Sequence, residues 1–247
     1  MIKINIPASK IAACVGMNPY ASIIDTIYDT FKFKNKGTFE KLQVKNLIHE
    51  NDILNLTNVL NMPNNSSIQD LQNEFKKKLS NYANNDGDTN KLLKNINNDS
   101  LKEALNSEIR MRKGVLNETK DLDRLQKKEN IQIIERNSIL GSLIIIISKK
   151  YEIKITGRAD GYNAERKCLI ESKHRKNGLF GHVPEYERVQ CEVYMRMFDC
   201  DKCYHTETYM ENSNETLLEK DDILWKKITR ALRKEFIPEY IKIMQTN

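Results

Sequence analysis

Residues 155–174 read ITGRADGYNAERKCLIESKH: two runs with strand-forming residues, joined by a polar stretch around NAERK. Alternating and β-branched residues on both sides of a polar turn predict a β-hairpin. Side chains on a strand alternate between faces, so Glu171 and Lys173 share one face while Ile170 and Ser172 take the other. The hairpin also folds Asp160, at the end of the first strand, back toward Glu171. Two carboxylates held this close repel each other unless a cation neutralises them. A hard divalent ion such as Mg²⁺ does so with oxygen ligands and leaves room for water and a phosphate. A neighbouring lysine adds a point charge that can hold a water or a phosphate oxygen. Read one at a time, Asp160-Gly161 is also a plain turn, and Glu171 with Lys173 is also a solvated pair. The combination of acid, turn and apolar-apolar-Glu-x-Lys favours a site.

Outward from the hairpin, IQIIERN (131–137) and SLIIIISK (142–149) predict two further strands. Upstream, PASKIAACVG, SIIDTIYDTFKF and FEKLQVKNLIHENDILNLTNVL carry apolar residues at three- and four-residue steps, the helical period. MPNNSS and NYANNDGDTN predict loops, and LKEALNSEIRMRKGVLNETKDLDRLQKKEN one long helix. Downstream, EYERVQCEVYMRMF predicts a helix, KCYHTETYME a strand, and DDILWKKITRALRKEFIPEYIKIMQ an amphipathic helix interrupted near Pro238. The expected class is α/β: a mixed β-sheet flanked by helices, with a mainly helical part over 1–100 and a core over 101–247, in a single domain of 1–247.

With 247 residues, 39% hydrophobic and 30% charged, the chain is long enough to bury a real core. A net charge of +6 permits a polyanionic partner without requiring one. Five cysteines do not make a disulfide framework and argue for a reducing compartment. MIKINIPASK lacks the apolar segment of a signal peptide, and ILGSLIIIISKK is too short to span a bilayer as a helix. A soluble intracellular protein with no membrane partner is expected.

GRADGY followed by LIESK resembles the core of the PD-(D/E)xK nuclease superfamily, with Ala159 where the motif has Pro. Three other stretches are similar to the phage lambda exonuclease or YqaJ-type viral recombinase group: IPASKIAACVGMNPYAS, MRKGVLNETKDL with its Gly-x-x-x-Glu, and ERVQCEVYM with its Gln. The resemblance covers residues 6 to about 198. It implies a restriction-endonuclease-like core and metal-dependent hydrolysis of DNA, linear duplex or single-stranded, on Mg²⁺ or Mn²⁺. By that resemblance Asp160 and Glu171 are metal ligands, with the backbone carbonyl of Ser172, and Glu118 reaches the same metal. Lys173 orients the attacking water, and Gln190 positions Lys173 or the scissile phosphate. An exonuclease in viral or phage recombination, repair or defence is the leading reading. A CRISPR-associated type with exo- and endonuclease action, or a non-catalytic DNA-binding protein keeping the fold, stays open. A homo-oligomer and a recombination or helicase partner are compatible with the group.

The lambda-type enzymes carry an Arg just before the first helix for the DNA 5′-phosphate. No Arg precedes the helix in this sequence, where Lys3, Ser9 and Lys10 are the nearby substitutes. His174, Arg175 and Lys176 follow the lysine of the motif and, with Ser9 and Lys10, are candidate DNA-binding residues. GLFGHVP (178–184) reads either as a loop that stacks on a base through Phe180 and His182, or as a surface loop; the second is preferred. Cys14, Cys191, Cys200 and Cys203 match the count of a cluster in some relatives. Their order does not, so buried thiols are expected instead of zinc or iron–sulfur.

Overall fold

The computed structural model describes residues 2–84, 86–134, 136 and 139–245. β1 (Ile2–Pro7) leads through a 3-10 turn (Ala8–Lys10) into a short helix α1 (Ile11–Cys14). α2 (Ile23–Ile27), capped by the Ser22 hydroxyl accepting from the Asp25 amide, continues as a π turn over Tyr28–Lys32. Then come α3 (Thr38–Val44), α4 (Glu50–Leu60), α5 (Ile68–Asn84), α6 (Asp86–Lys94) and the long α7 (Asp99–Glu129). The strands β2 (Leu140–Ile146), β3 (Tyr151–Arg158), β4 (Gly161–Asn163) and β5 (Cys168–His174) precede α8 (Glu185–Met197). β6 (Lys202–Tyr209), β7 (Asn212–Glu219), α9 (Asp222–Ala231) and α10 (Ile237–Gln245) close the chain.

Two compact units make up the chain, Met1–Lys32 with Glu118–Asn247, and Phe33–Asn117. The second is helical around its own core of Phe39, Leu56, Leu60, Leu71, Phe75 and Leu105, all essentially inaccessible. The Phe39 amide donates to the buried Gln72 side chain at 3.0 Å, which ties α3 to α5 through an otherwise apolar contact.

The first unit is a mixed α/β body with two mixed sheets. One has the order β1-β3-β2, with β1 parallel and β2 antiparallel to β3. The other has the order β4-β5-β6-β7, with β5 and β6 parallel and the outer pairs antiparallel. The chain passes from the first sheet to the second between β3 and β4, and Asp160 stands at that passage. β5 is covered on both faces: Leu169 packs in the main core with Val189 and Cys191 of α8, while Ile170 packs with Leu122 and Leu125 of α7. Burial on both sides explains why CLI reads as an uninterrupted apolar run. Gly157 permits close layering, because a Cβ there would lie 2.7 Å from both the Ala8 Cβ and the Tyr194 ring.

The expected strand over 131–137 is not one. Within it Ile134 makes an isolated bridge to Tyr162, and Ile131 and Ile133 turn inward onto Leu122, Leu125 and Ile170; residues 135 and 137 lie outside the described ones. The loop expected over 81–90 is helical apart from residue 85, which also lies outside. β1 and β7 were not foreseen. Both are edge strands with few buried residues, Ile4 and Ile6 in β1 and Leu218 in β7. The interruption expected near Pro238 is a π turn over Leu232–Phe236, with the Ile237 amide reaching back five residues to the Leu232 carbonyl. Proline has no amide and its ring crowds the carbonyl four residues earlier, so the helix widens there. No helix among the described residues is long and apolar enough to cross a membrane.

Candidate active site

The face of β5 turned toward α8 carries Glu171 and Lys173, and Arg175 follows at the same parity beyond its end. The parallel partner β6 adds His205 opposite Glu171 and Glu207 opposite Lys173. α8 lays Glu187 and Gln190 over them.

Asp160 meets this face from the passage between the sheets. Its Oδ2 accepts from the Ser172 amide at 2.7 Å. Glu171 is 2% exposed; its Oε1 accepts from Lys173 Nζ at 2.5 Å and from Gln190 Nε2 at 2.8 Å. Its Oε2 is buried without a hydrogen-bond partner. Gln190 also receives a long contact from Lys173 at 3.4 Å and donates to the Tyr194 hydroxyl at 3.3 Å. Burial pushes the Asp160 carboxyl well above the usual carboxylate range, and the charges of Glu171 and then Glu118 push it further, against Lys173. Burial alone would lower Lys173, yet Glu171 and Asp160 reverse this and hold it as an ammonium. Burial, followed by the Glu171 charge, likewise raises the Tyr194 phenol.

Beside this lies a second, fully matched set. The Arg175 guanidinium forks onto both Glu187 oxygens at 2.7 Å each and donates through Nε to Glu207 at 2.8 Å. His205 Nε2 stands 2.7 Å from Glu187 Oε2. Glu207 also accepts from the Phe180 and Gly181 amides at 3.1 and 2.8 Å. Burial would raise Glu187, but hydrogen bonds from Arg175 and His205 hold it down at about 2. Since its folded value lies below the ordinary 4.5, its contribution to stability is complete above pH 4.5 and lost as the pH falls toward 2. We expect acid unfolding in that window to weaken the protein by about 3 kcal/mol more than a Glu187→Gln variant loses over the same range, as read by denaturant titrations at several pH values.

These contacts leave the two sets unequally satisfied. Asp160, Glu171, Glu187 and Glu207 are four carboxyl groups against two cations, Lys173 and Arg175. Arg175 is taken up by Glu187 and Glu207. Each cation thus faces two carboxyl groups and the deficit is shared, but the oxygens of Glu187 and Glu207 are all hydrogen-bonded, whereas the Oε2 of Glu171 lacks a partner. An all-oxygen donor set with that deficit fits a hard divalent cation. Among the described residues no three His, Cys, Asp or Glu side chains gather into a complete ligand set. Magnesium needs no such set, since it is commonly held by one or two carboxylates with water and phosphate completing its shell.

The other sequence candidates fall as follows. Glu118 on α7 is half-buried and its charge acts on Asp160. Ser9 and Lys10 sit exposed in the 3-10 turn. His174 points to the opposite face of β5, its Nδ1 3.0 Å from Asp121 Oδ2, and Lys176 is exposed. Arg175 is enclosed by carboxylates, with its side chain 9% exposed. All five cysteines are buried, and burial pushes Cys14 up to about 12 and Cys168 to about 11. Glu187, Tyr194 and Glu207 escaped sequence reading, and His205 was singled out only beside the cysteines, as a soft ligand. The one available signal was Glu187, an acid on the inward apolar face shared by Cys191 and Tyr194.

Fold and site together define a mixed α/β protein with a carboxylate–lysine centre where the chain bends from one sheet into the next. No protein-family model matches the chain, and no curated protein matches it. Among solved structures it is similar to the alkaline exonuclease of Laribacter hongkongensis in complex with dAMP, at 14% identity over 77% of this chain and 87% of that one, with a TM-score of 0.44. It is also similar to a phage-related exonuclease from Haemophilus somnus 129PT, at 12% identity over 98% of this chain and 95% of that one, with a TM-score of 0.43.

Proposed function

We propose that this protein is a divalent-metal-dependent deoxyribonuclease that hydrolyses phosphodiester bonds, acting as an exonuclease on linear DNA. The observation that carries this is the Asp160–Glu171 pair: two carboxylates crowded beside a lysine, one oxygen of Glu171 buried without a partner, and Asp160 pushed toward its neutral form. Asp160, Glu171 and the Ser172 carbonyl would hold Mg²⁺ or Mn²⁺, with Glu118 at its edge. When bound, the ion neutralises phosphodiester charge and lowers the pKa of its water.

The protein's own groups supply the rest. The Lys173 ammonium, held charged, offers a donor to the attacking water or to a non-bridging phosphate oxygen. Gln190 keeps Glu171 and Lys173 in register by donating to the first and accepting from the second. The Arg175–Glu187–Glu207 set has each of its carboxylate oxygens hydrogen-bonded, so that they compete little for the ion.

The test uses end-labelled linear DNA, with and without a 5′-phosphate, beside covalently closed circles, in Mg²⁺, Mn²⁺ or EDTA. Mononucleotide release from linear DNA in either metal, none in EDTA, and intact circles are expected. Cleavage unaffected by EDTA would remove the metal-centred reading; nicked or linearised circles would replace the exonuclease with an endonuclease.

A further inference from the structure

One feature near the centre is not used by it. Gly16, Met17, Pro19, Tyr20, Phe180, His182, Pro184, Glu185 and Tyr186 line an open groove of about 490 Å³. Its walls are aromatic and unusually exposed: Tyr20 is 79% and Phe180 45% accessible. Each ring nevertheless has an aromatic neighbour. Tyr20 meets Tyr186 edge to face at 5.8 Å, and its amide donates to Asn18 Oδ1 at 2.9 Å. Phe180 lies under the Arg175 guanidinium at 4.1 Å, stacks on His182, and has its amide bound by Glu207. Holding apolar rings open to water in one geometry costs free energy that folding alone does not recover, and such rigid platforms favour binding by lowering the ordering cost.

The chemistry of the lining selects the occupant. No Lys or Arg is part of it, and Glu185 faces Lys227 at 3.6 Å, so the groove offers little to a phosphate and much to a neutral planar ring. Its position adds the rest. Tyr186, Gln190 and Tyr194 follow at four-residue steps on one face of α8, and Gln190 donates to Glu171. The groove therefore begins one helical turn, about 6 Å along the axis, from the carboxylate centre. A base and its neighbouring phosphodiester are separated by a comparable span.

We infer that this groove takes an unpaired nucleobase by stacking on Tyr20, Phe180 and Tyr186, while an adjacent phosphodiester lies at the Asp160–Glu171–Lys173 centre, which makes single-stranded or end-frayed DNA the substrate. The assignment of a base rests on the nuclease reading. Glu207 and Arg175 hold the surface loop 178–184 as its platform.

The probes are a fluorescein-labelled ten-nucleotide thymidylate and the same ten-phosphate chain made of abasic sites, followed by anisotropy in EDTA so that cleavage plays no part. The wild-type protein should bind the base-bearing oligomer at least tenfold more tightly. Tyr20→Ala and Phe180→Ala should each weaken that binding roughly five- to hundredfold, the range of a lost base–aromatic stack. Binding of the abasic chain should hardly change, and Tyr20→Phe should retain the preference. Both positions are exposed, so melting temperatures should stay near wild type. Equal binding of both oligomers by the wild type, or a preference that survives both alanine variants, overturns the inference. Intact base preference without cleavage in any metal would instead overturn the nuclease reading, and normal cleavage without base preference would overturn only the groove.

Discussion

Replacing Asp160 by Asn should abolish metal-dependent cleavage and at the same time make the protein more stable. Asp160 is held beside Glu171 in a site that disfavours its charge, by burial first and by the neighbouring carboxylate second. Asparagine keeps an oxygen that can accept from the Ser172 amide, at the same length, and removes the repulsion. Relief of about 1 kcal/mol would raise the melting temperature by roughly 2–4 °C in a protein of this size. Activity should fall by a thousandfold or more, on the order of what a single lost group that stabilises transition-state charge costs. A site that gives up stability for chemistry shows this opposition of effects. An unchanged rate in Asp160→Asn, measured on end-labelled DNA in Mg²⁺, would remove Asp160 from the centre. A lowered melting temperature would mean the two carboxylates are not in conflict.

Arg175→Met should be the most damaging single change to the fold. The guanidinium closes the charges of Glu187 and Glu207, which are 4% and 1% exposed, with three hydrogen bonds of 2.7–2.8 Å. Methionine fills similar volume but leaves both carboxylates buried without their cation. Breaking such a pair costs about 3–5 kcal/mol. Glu207 would also lose what keeps its carboxyl below the usual range, so its hold on the Phe180 and Gly181 amides weakens. Urea titration at pH 7 reads the loss. Adding Glu187→Gln to Arg175→Met should recover part of it, because one orphaned charge is then gone. If Arg175→Met instead leaves stability unchanged and only weakens DNA binding in a salt-dependent way, the residue acts on phosphate, as its position after the motif suggests.

How far the sequence reaches is seen on β5. A period of two put Glu171 and Lys173 on one face, and the structure joins them at 2.5 Å. The turn at 163–167 was enough to return Asp160 to the Ser172 amide. The same local logic went astray at 131–137, where β-branched residues serve a helix–sheet contact instead of a strand. It also failed at 81–84 and 86–90, where turn-forming residues lie within α5 and α6.

Periodicity and turn chemistry act over a few residues, so the chain alone could specify the turn before β5 and the acid–lysine pair on it, but not that the expected hairpin shrinks to β4 and β5 while β3 pairs in the other sheet. The partition into two sheets, the capture of Arg175 by acids 12 and 32 residues away, and the meeting of Tyr20 with Phe180 and Tyr186 depend on which elements pack together. Those contacts are fixed by shape and charge balance across the folded body, which no local pattern encodes.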